Sequence, residues 1–219
     1  MRLFRRITGR AGLTTTRIEA FSDGVFAIAI TLLVLELAVP ELTQGELMRG
    51  ELAHRLFALW PKFLSFAISF GVISIFWVGH AIMFHFIRRS DRILLWLNSL
   101  LLMCISFIPF PAALIGEYAP DRAAVMLYGV TLMVAGMLFS LTWQYASHER
   151  RLVDARVPEH IVRLARKVVW AAPVVYAVAV AAAFFAPLAS IAIYILVPLA
   201  YIVPSPIDEI VEAAERGER

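Results

Sequence analysis

Charge is scarce in this sequence: only 17% of its 219 residues are Asp, Glu, Lys or Arg, while 61% are apolar. A soluble domain carries roughly a quarter charged residues, so most of the surface here is not built to meet water. Cysteine is almost missing. The one present, Cys104, lies in the run Leu100-Leu101-Leu102-Met103-Cys104-Ile105. That excludes an internal disulfide or a thiolate metal site and leaves a small buried hydrophobe. Lysine is nearly absent too: beyond Lys62 and Lys167 every basic side chain is arginine, in short clusters between apolar segments. With a net charge of only +3, such clusters suit topology signals and not a nucleic-acid surface. His54, His80, His85, His148 and His160 lack metal-ligand spacing, and no phosphate-binding glycine loop or nucleophile–base grouping is present. No enzyme chemistry and no cofactor are expected.

What remains is apolar length. At ~20 residues per bilayer crossing, six stretches can be drawn: Arg17 to Val39, Phe57 to Phe86, Ile93 to Ile115, Arg122 to Tyr145, Val162 to Ala186 and Leu188 to Val203. Only Ala186-Pro187 separates the last two, which predicts a tight helical hairpin. Met1-Arg2-Leu3-Phe4-Arg5-Arg6 resembles a secretory leader, but Glu19, Asp23 and the missing small-residue cleavage site predict a retained first span. The expected fold is an all-α polytopic membrane protein, with residues 1–204 as the six-span domain and 205–219 as a short acidic tail. Sixteen Lys and Arg fall on the side of the amino terminus, the second and fourth gaps and the tail, against four on the other. This bias predicts both termini in the cytoplasm. Trp60, Trp96, Trp143 and Trp170 fall near span ends, as an interfacial aromatic belt requires. The segment from Pro40 to Leu56 has room for a surface helix.

The first span is the most informative. At about 100° per residue, Ile28, Leu32, Leu35 and Val39 form one bulky stripe, beside a small-residue stripe of Ala20, Gly24, Ala27, Thr31 and Ala38. Small residues let helix backbones approach closely, so several copies could aim the branched side chains at a common axis. Facing lipid is the alternative. Asp23 sits well away from Ile28 around the helix, at ~9 Å inside the boundary marked by Arg17. His80 lies at ~12 Å and Asn98 at ~9 Å from the same boundary on two other spans. Intramembrane polar groups are costly and normally paired, so one depth on three helices predicts a buried network of Ser22, Asp23, His80 and Asn98, with Trp77 nearby. Its role is structural if it lies off a pore face, or proton-carrying if Asp23 and His80 serve a proton-coupled secondary transporter.

Arg17-x-x-x-Phe21-Ser22-Asp23, continuing Gly-Val-Phe-Ala-Ile-Ala-Ile-Thr, resembles the signature of the endolysosomal transmembrane potassium channel family in its bacterial six-span form. Phe76-Trp77-x-x-His80, and Asn98 followed by Pro109-Phe110-Pro111, are also similar to that family. The resemblance covers the first three spans. It implies a homotetrameric, potassium-permeable cation channel of the bacterial inner membrane, with four first helices lining a central pore. No Thr-Val-Gly-Tyr-Gly filter is present. By offset from the motif aspartate, Ile28 would be the narrowest ring, with Thr31, Leu32 and Leu35 toward the extracytoplasmic end. Arg17, Phe21, Ser22, Asp23, Trp77, His80 and Asn98 would hold the helix behind the pore. Partners are then other copies, the lipid bilayer and monovalent cations. No fixed metal is implied, only permeating potassium near Ile28, Thr31 and Leu35.

Overall fold

The computed structural model describes residues 15–202 and Glu212. The amino-terminal arginines before Thr15, and nearly all of the 205–219 tail, lie outside the described residues. The elements are α1 Thr15–Leu32 with a 3-10 turn Leu33–Glu36, α2 Gln44–Met48, α3 Leu52–Ala58, α4 Trp60–Phe86 and α5 Arg92–Phe107. They continue as α6 Pro109–Tyr118, α7 Arg122–Ser147, a 3-10 turn His148–Arg150, α8 Glu159–Ala183 and α9 Pro187–Ile202. Among the described residues the fold is helical throughout, as the apolar runs require.

Five segments are long and apolar enough to cross a membrane: Thr15–Glu36, Trp60–Phe86, Arg92–Tyr118, Arg122–Arg150 and Glu159–Ala183. The sixth, α9, has 16 residues. Its described part amounts to ~24 Å of helix. The second span starts at Trp60 and not at Phe57, because Pro61 sits in the first turn of α4, where its missing N–H costs nothing. Phe57 belongs instead to α3, one of two short helices in the connection between the first two spans. Trp143 is corrected as well: it is 2% exposed, packed in the core and not on a belt.

α7 and α8 pack along their length, α5 lies on α7, α1 rests on α4 and α5, and α9 covers parts of α8 and α4. Close approach is set by glycines. Pro173 of α8 lies against Gly136 of α7, and Pro198 of α9 against Gly71 of α4. Pro173 cannot donate to Val169, four residues earlier; Ser140 Oγ donates to that carbonyl at 2.7 Å instead. At Gly129 a Cβ would collide with the Tyr194 hydroxyl and approach Val180 Cγ2 to 2.8 Å. Gly129→Ala is therefore expected to cost about 1–3 kcal/mol by overpacking. Thermal unfolding in detergent measures it, and an unchanged midpoint contradicts this packing.

At the arginine-rich end, Asp91 ties two connections together. One carboxylate oxygen caps α5 by accepting from Leu94 N–H at 2.9 Å. The other accepts from the Tyr145 hydroxyl at 2.6 Å and lies 3.6 Å from Arg151 Nε. The α7–α8 connection also folds back onto the end of α4: Arg88 N–H donates to Leu152 O at 3.0 Å and Asp154 N–H to Phe86 O at 3.0 Å.

At the opposite end, α2 opens on a capping box. Thr43 N–H donates to Glu46 Oε2 at 2.8 Å, Glu46 N–H to Thr43 Oγ1 at 3.4 Å, and Arg55 reaches Glu46 Oε1 at 2.9 Å. The Thr43 backbone N–H, then its hydroxyl and Arg55, hold the Glu46 carboxyl down at about 2, from an ordinary 4.5. A depressed carboxylate stabilises the fold above the unfolded value and loses that contribution as pH falls through the folded one. The cap should stay intact above about 4.5 and loosen toward about 2. A carboxyl NMR titration of Glu46 is expected to show the low midpoint, rising in Thr43→Ala; an ordinary midpoint in the wild type contradicts the cap.

Candidate functional site

α1 has two faces. Ile18, Ser22, Phe26 and Ala29 are buried, with Leu33 continuing the row, because they recur at helical spacing toward α4 and α5. The opposite arc is uncovered: Ile28 is 60% exposed, Leu32 39% and Leu35 71%. The small residues Ala20, Gly24, Ala27, Thr31 and Ala38 are exposed beside them, and nothing lies within 4 Å of a Cβ built on Gly24. Both stripes read from the sequence thus point away from their own subunit. Thr31 Oγ1 donates to Ile28 O at 2.9 Å, so with its proton engaged the hydroxyl presents lone pairs, the polarity a cation requires. Leu35 lies on the 3-10 turn, where residues three apart eclipse. It therefore stacks over Leu32 instead of drifting around the helix.

The buried face carries a directed chain of hydrogen bonds. Ser22 Oγ donates to Ile18 O at 2.8 Å, so its oxygen accepts from Asn98 Nδ2 at 3.0 Å. That orientation leaves Asn98 Oδ1 as an acceptor, and His80 Nε2–H donates to it at 2.9 Å. Ser22, His80 and Asn98 are all nearly fully buried. Phe84 stacks on the His80 ring at 4.4 Å and Phe26 meets it edge-on at 5.5 Å. A neutral imidazole suits this apolar cage, since a charged one would need a partner.

The chain Ser22–Asn98–His80 confirms part of the network expected from depth. Asp23 departs from it. Its carboxylate is exposed on the subunit, where Trp77 Nε1–H donates to Oδ1 at 2.9 Å. No hydrogen bond joins Asp23 to His80; each holds a different partner. Arg17 is exposed and Phe21 is 63% exposed. Both lie on the arc of Ile28, because seven- and eleven-residue offsets return to the same helix face. Phe26 and Phe84 escaped the sequence reading. Their signal was available: each follows a network residue, Ser22 or His80, by four positions on the same helix.

Among the described residues, no group of His, Cys, Asp and Glu is placed to hold a metal ion. The arrangement presents an outward stripe of branched and hydroxyl side chains, locked from behind.

The family model described as "Endosomal/lysosomal potassium channel TMEM175" matches residues 17–109. A potassium channel of Chamaesiphon minutus is 38% identical over 173 residues, covering 78% of this chain and 84% of the relative. A potassium channel of Streptomyces collinus is 38% identical over 154 residues, covering 68% of this chain and 73% of the relative. In structure, the crystal form of a lysosomal potassium-selective channel TMEM175 homolog from Chamaesiphon minutus superposes with a TM-score of 0.76 at 36% identity. It covers 86% of this chain and 96% of that one. A potassium channel MtTMEM175 variant shares the fold at a TM-score of 0.55 and 21% identity. With sequence identity and fold in agreement, the chain belongs to the TMEM175 potassium channel family.

Proposed function

We propose that this protein is a potassium-permeable cation channel of the bacterial cytoplasmic membrane, in which four copies converge so that α1 lines one central pore. The observation that carries this reading is the outward arc of α1. It combines a polar edge, Asp23 and Thr31, with small residues and a branched stripe, all exposed on the subunit. A carboxylate facing hydrocarbon costs ~2.5–3.5 kcal/mol at a span centre, and four copies would multiply that. Burial against neighbouring copies, or at water-filled space, removes the cost. The small residues permit the close approach that such packing needs. The named activity of the bacterial relatives agrees.

In this arrangement Ile28 forms the narrowest ring, Thr31 offers a ring of hydroxyl oxygens one turn on, and Leu32 and Leu35 add apolar constrictions toward the outside. Branched aliphatic rings cannot replace an ion's hydration shell, so closure is by dewetting and conduction needs the helices to widen or rotate. A modest preference for potassium over sodium is the selectivity expected from the family resemblance. The arginine bias supports a topology with both termini in the cytoplasm.

The test is purified protein in planar bilayers. Unitary current steps, with potassium permeating above sodium, are expected. A smooth, saturable flux with fixed proton stoichiometry would instead make Asp23 and His80 the centre of a transporter.

A further inference from the structure

Away from α1, the bundle holds an apolar cavity of about 430 Å³ between α4, α7, α8 and α9, with Gly79, Phe86, Trp143, Ala165, Val168 and Pro198 among its walls. Pro198 of α9 meets α4 at Gly71, fifteen residues or ~22 Å above Phe86. Within the described residues α9 ends one turn later, at Ile202. The cavity's size falls within the ~300–1,000 Å³ of ligand pockets.

Two observations identify an occupant. Trp143, a wall residue, buries its indole Nε1 with no acceptor, as does Arg166 at its Nε. Trp143 lies four residues from the end of α7, ~6 Å in, the depth of lipid ester oxygens. The same end is ringed by cations. Arg88 and Arg89 follow Phe86, and Arg163, Arg166 and Lys167 lie within two residues of Ala165. Arg88 is 3.8 Å from Asp154, whereas Arg89, Arg163 and Lys167 have no ion pair among the described residues. Basic pockets between spanning helices on this side of a membrane suit phosphate headgroups.

We propose that this cavity holds one acyl chain of an anionic phospholipid from the arginine-rich leaflet, its ester oxygens at the depth of Trp143 and its phosphate against the basic end. The indole must tilt slightly toward the cavity to donate. The site lies outside the proposed pore and does not depend on it.

Nanodiscs of phosphatidylcholine, doped with phosphatidylglycerol brominated on its chains, provide the probe. The fluorescence lost in Trp143→Phe relative to wild type isolates that one indole. Saturable quenching of it is expected. Val168→Phe, which fills the cavity, should abolish the saturable part. Arg163→Gln with Lys167→Gln changes only exposed side chains, so folding is retained, and the preference for phosphatidylglycerol should fall roughly 10- to 30-fold. Any of four results overturns the site. These are quenching insensitive to Val168→Phe, equal affinity for both headgroups, equal occupancy by a brominated free fatty acid, and quenching that appears only after residues 203–219 are removed. The last would make the chain's own carboxy-terminal segment the occupant.

Discussion

Ile28→Asn is expected to raise ion flux through the reconstituted protein about tenfold or more and to erode its discrimination between potassium and sodium. In a closed hydrophobic ring the barrier is the free energy of holding water and a hydrated ion between aliphatic walls. In the proposed tetramer each copy contributes one side chain, so a single substitution places four amides around the constriction. Lowering the barrier by only ~1.4 kcal/mol gives a tenfold rate, a small demand on four hydrogen-bonding groups. Ile28→Ala should act in the same direction by widening the ring, with less effect on wetting. Val178→Ala is the control, because Val178 is exposed on α8, far from α1 in the helix order. If both Ile28 variants conduct as the wild type does while Val178→Ala behaves normally, Ile28 is not the constriction. If the wild type conducts but α1 cysteine variants are accessible only to lipid-soluble reagents, the pore lies elsewhere.

The second large effect concerns the anchor. Asn98 makes two of the three side-chain bonds that tie α1, α4 and α5 to one another. Single interhelical hydrogen bonds in membranes average only ~0.6 kcal/mol, which alone would make Asn98→Ala mild. The geometry argues for more. Removing the carboxamide leaves His80 Nε2–H without an acceptor and Ser22 Oγ without a donor, both in a site closed to water. An orphaned buried group costs about 1–3 kcal/mol. The expected loss is therefore about 2–4 kcal/mol, or roughly 5–15 °C in thermal midpoint for a chain of this size, with a matching fall in recovered oligomer. Asn98→Asp should lose less, since an oxygen still accepts from His80. Trp77→Phe should lose least in the isolated subunit. A wild-type midpoint in Asn98→Ala would show that packing of Phe26, Phe84 and Ile18 holds α1 without the polar chain.

The depth argument worked for Ser22, His80 and Asn98 because helical rise is regular: residues counted from an arginine at the boundary convert directly to distance. It failed for Asp23 because depth carries no azimuth. Asp23 differs from Ser22 by one residue, or about 100°, which separates the buried face from the outward arc. Trp143 was misassigned for the same reason; its position near a span end suits a belt, but its direction puts it in the core. The tie between Asp91, Tyr145 and Arg151 was illegible, since nothing in spacing pairs a residue before α5 with two around the end of α7.

Some properties belong to the chain's local order. Apolar run length sets the membrane location and the number of helices, arginine placement biases orientation, and the 3.6-residue period assigns the branched and small stripes of α1. These follow from interactions within a few residues, or with solvent and lipid, that need no knowledge of the partner helix. Other properties arise only when helices meet. The donor order from His80 through Asn98 to Ser22 is one, the exposure of Asp23 another, and the cavity between α4, α7, α8 and α9 a third. Each depends on which azimuth of one helix faces which level of another, a relation fixed by packing across the bundle and written in no single segment.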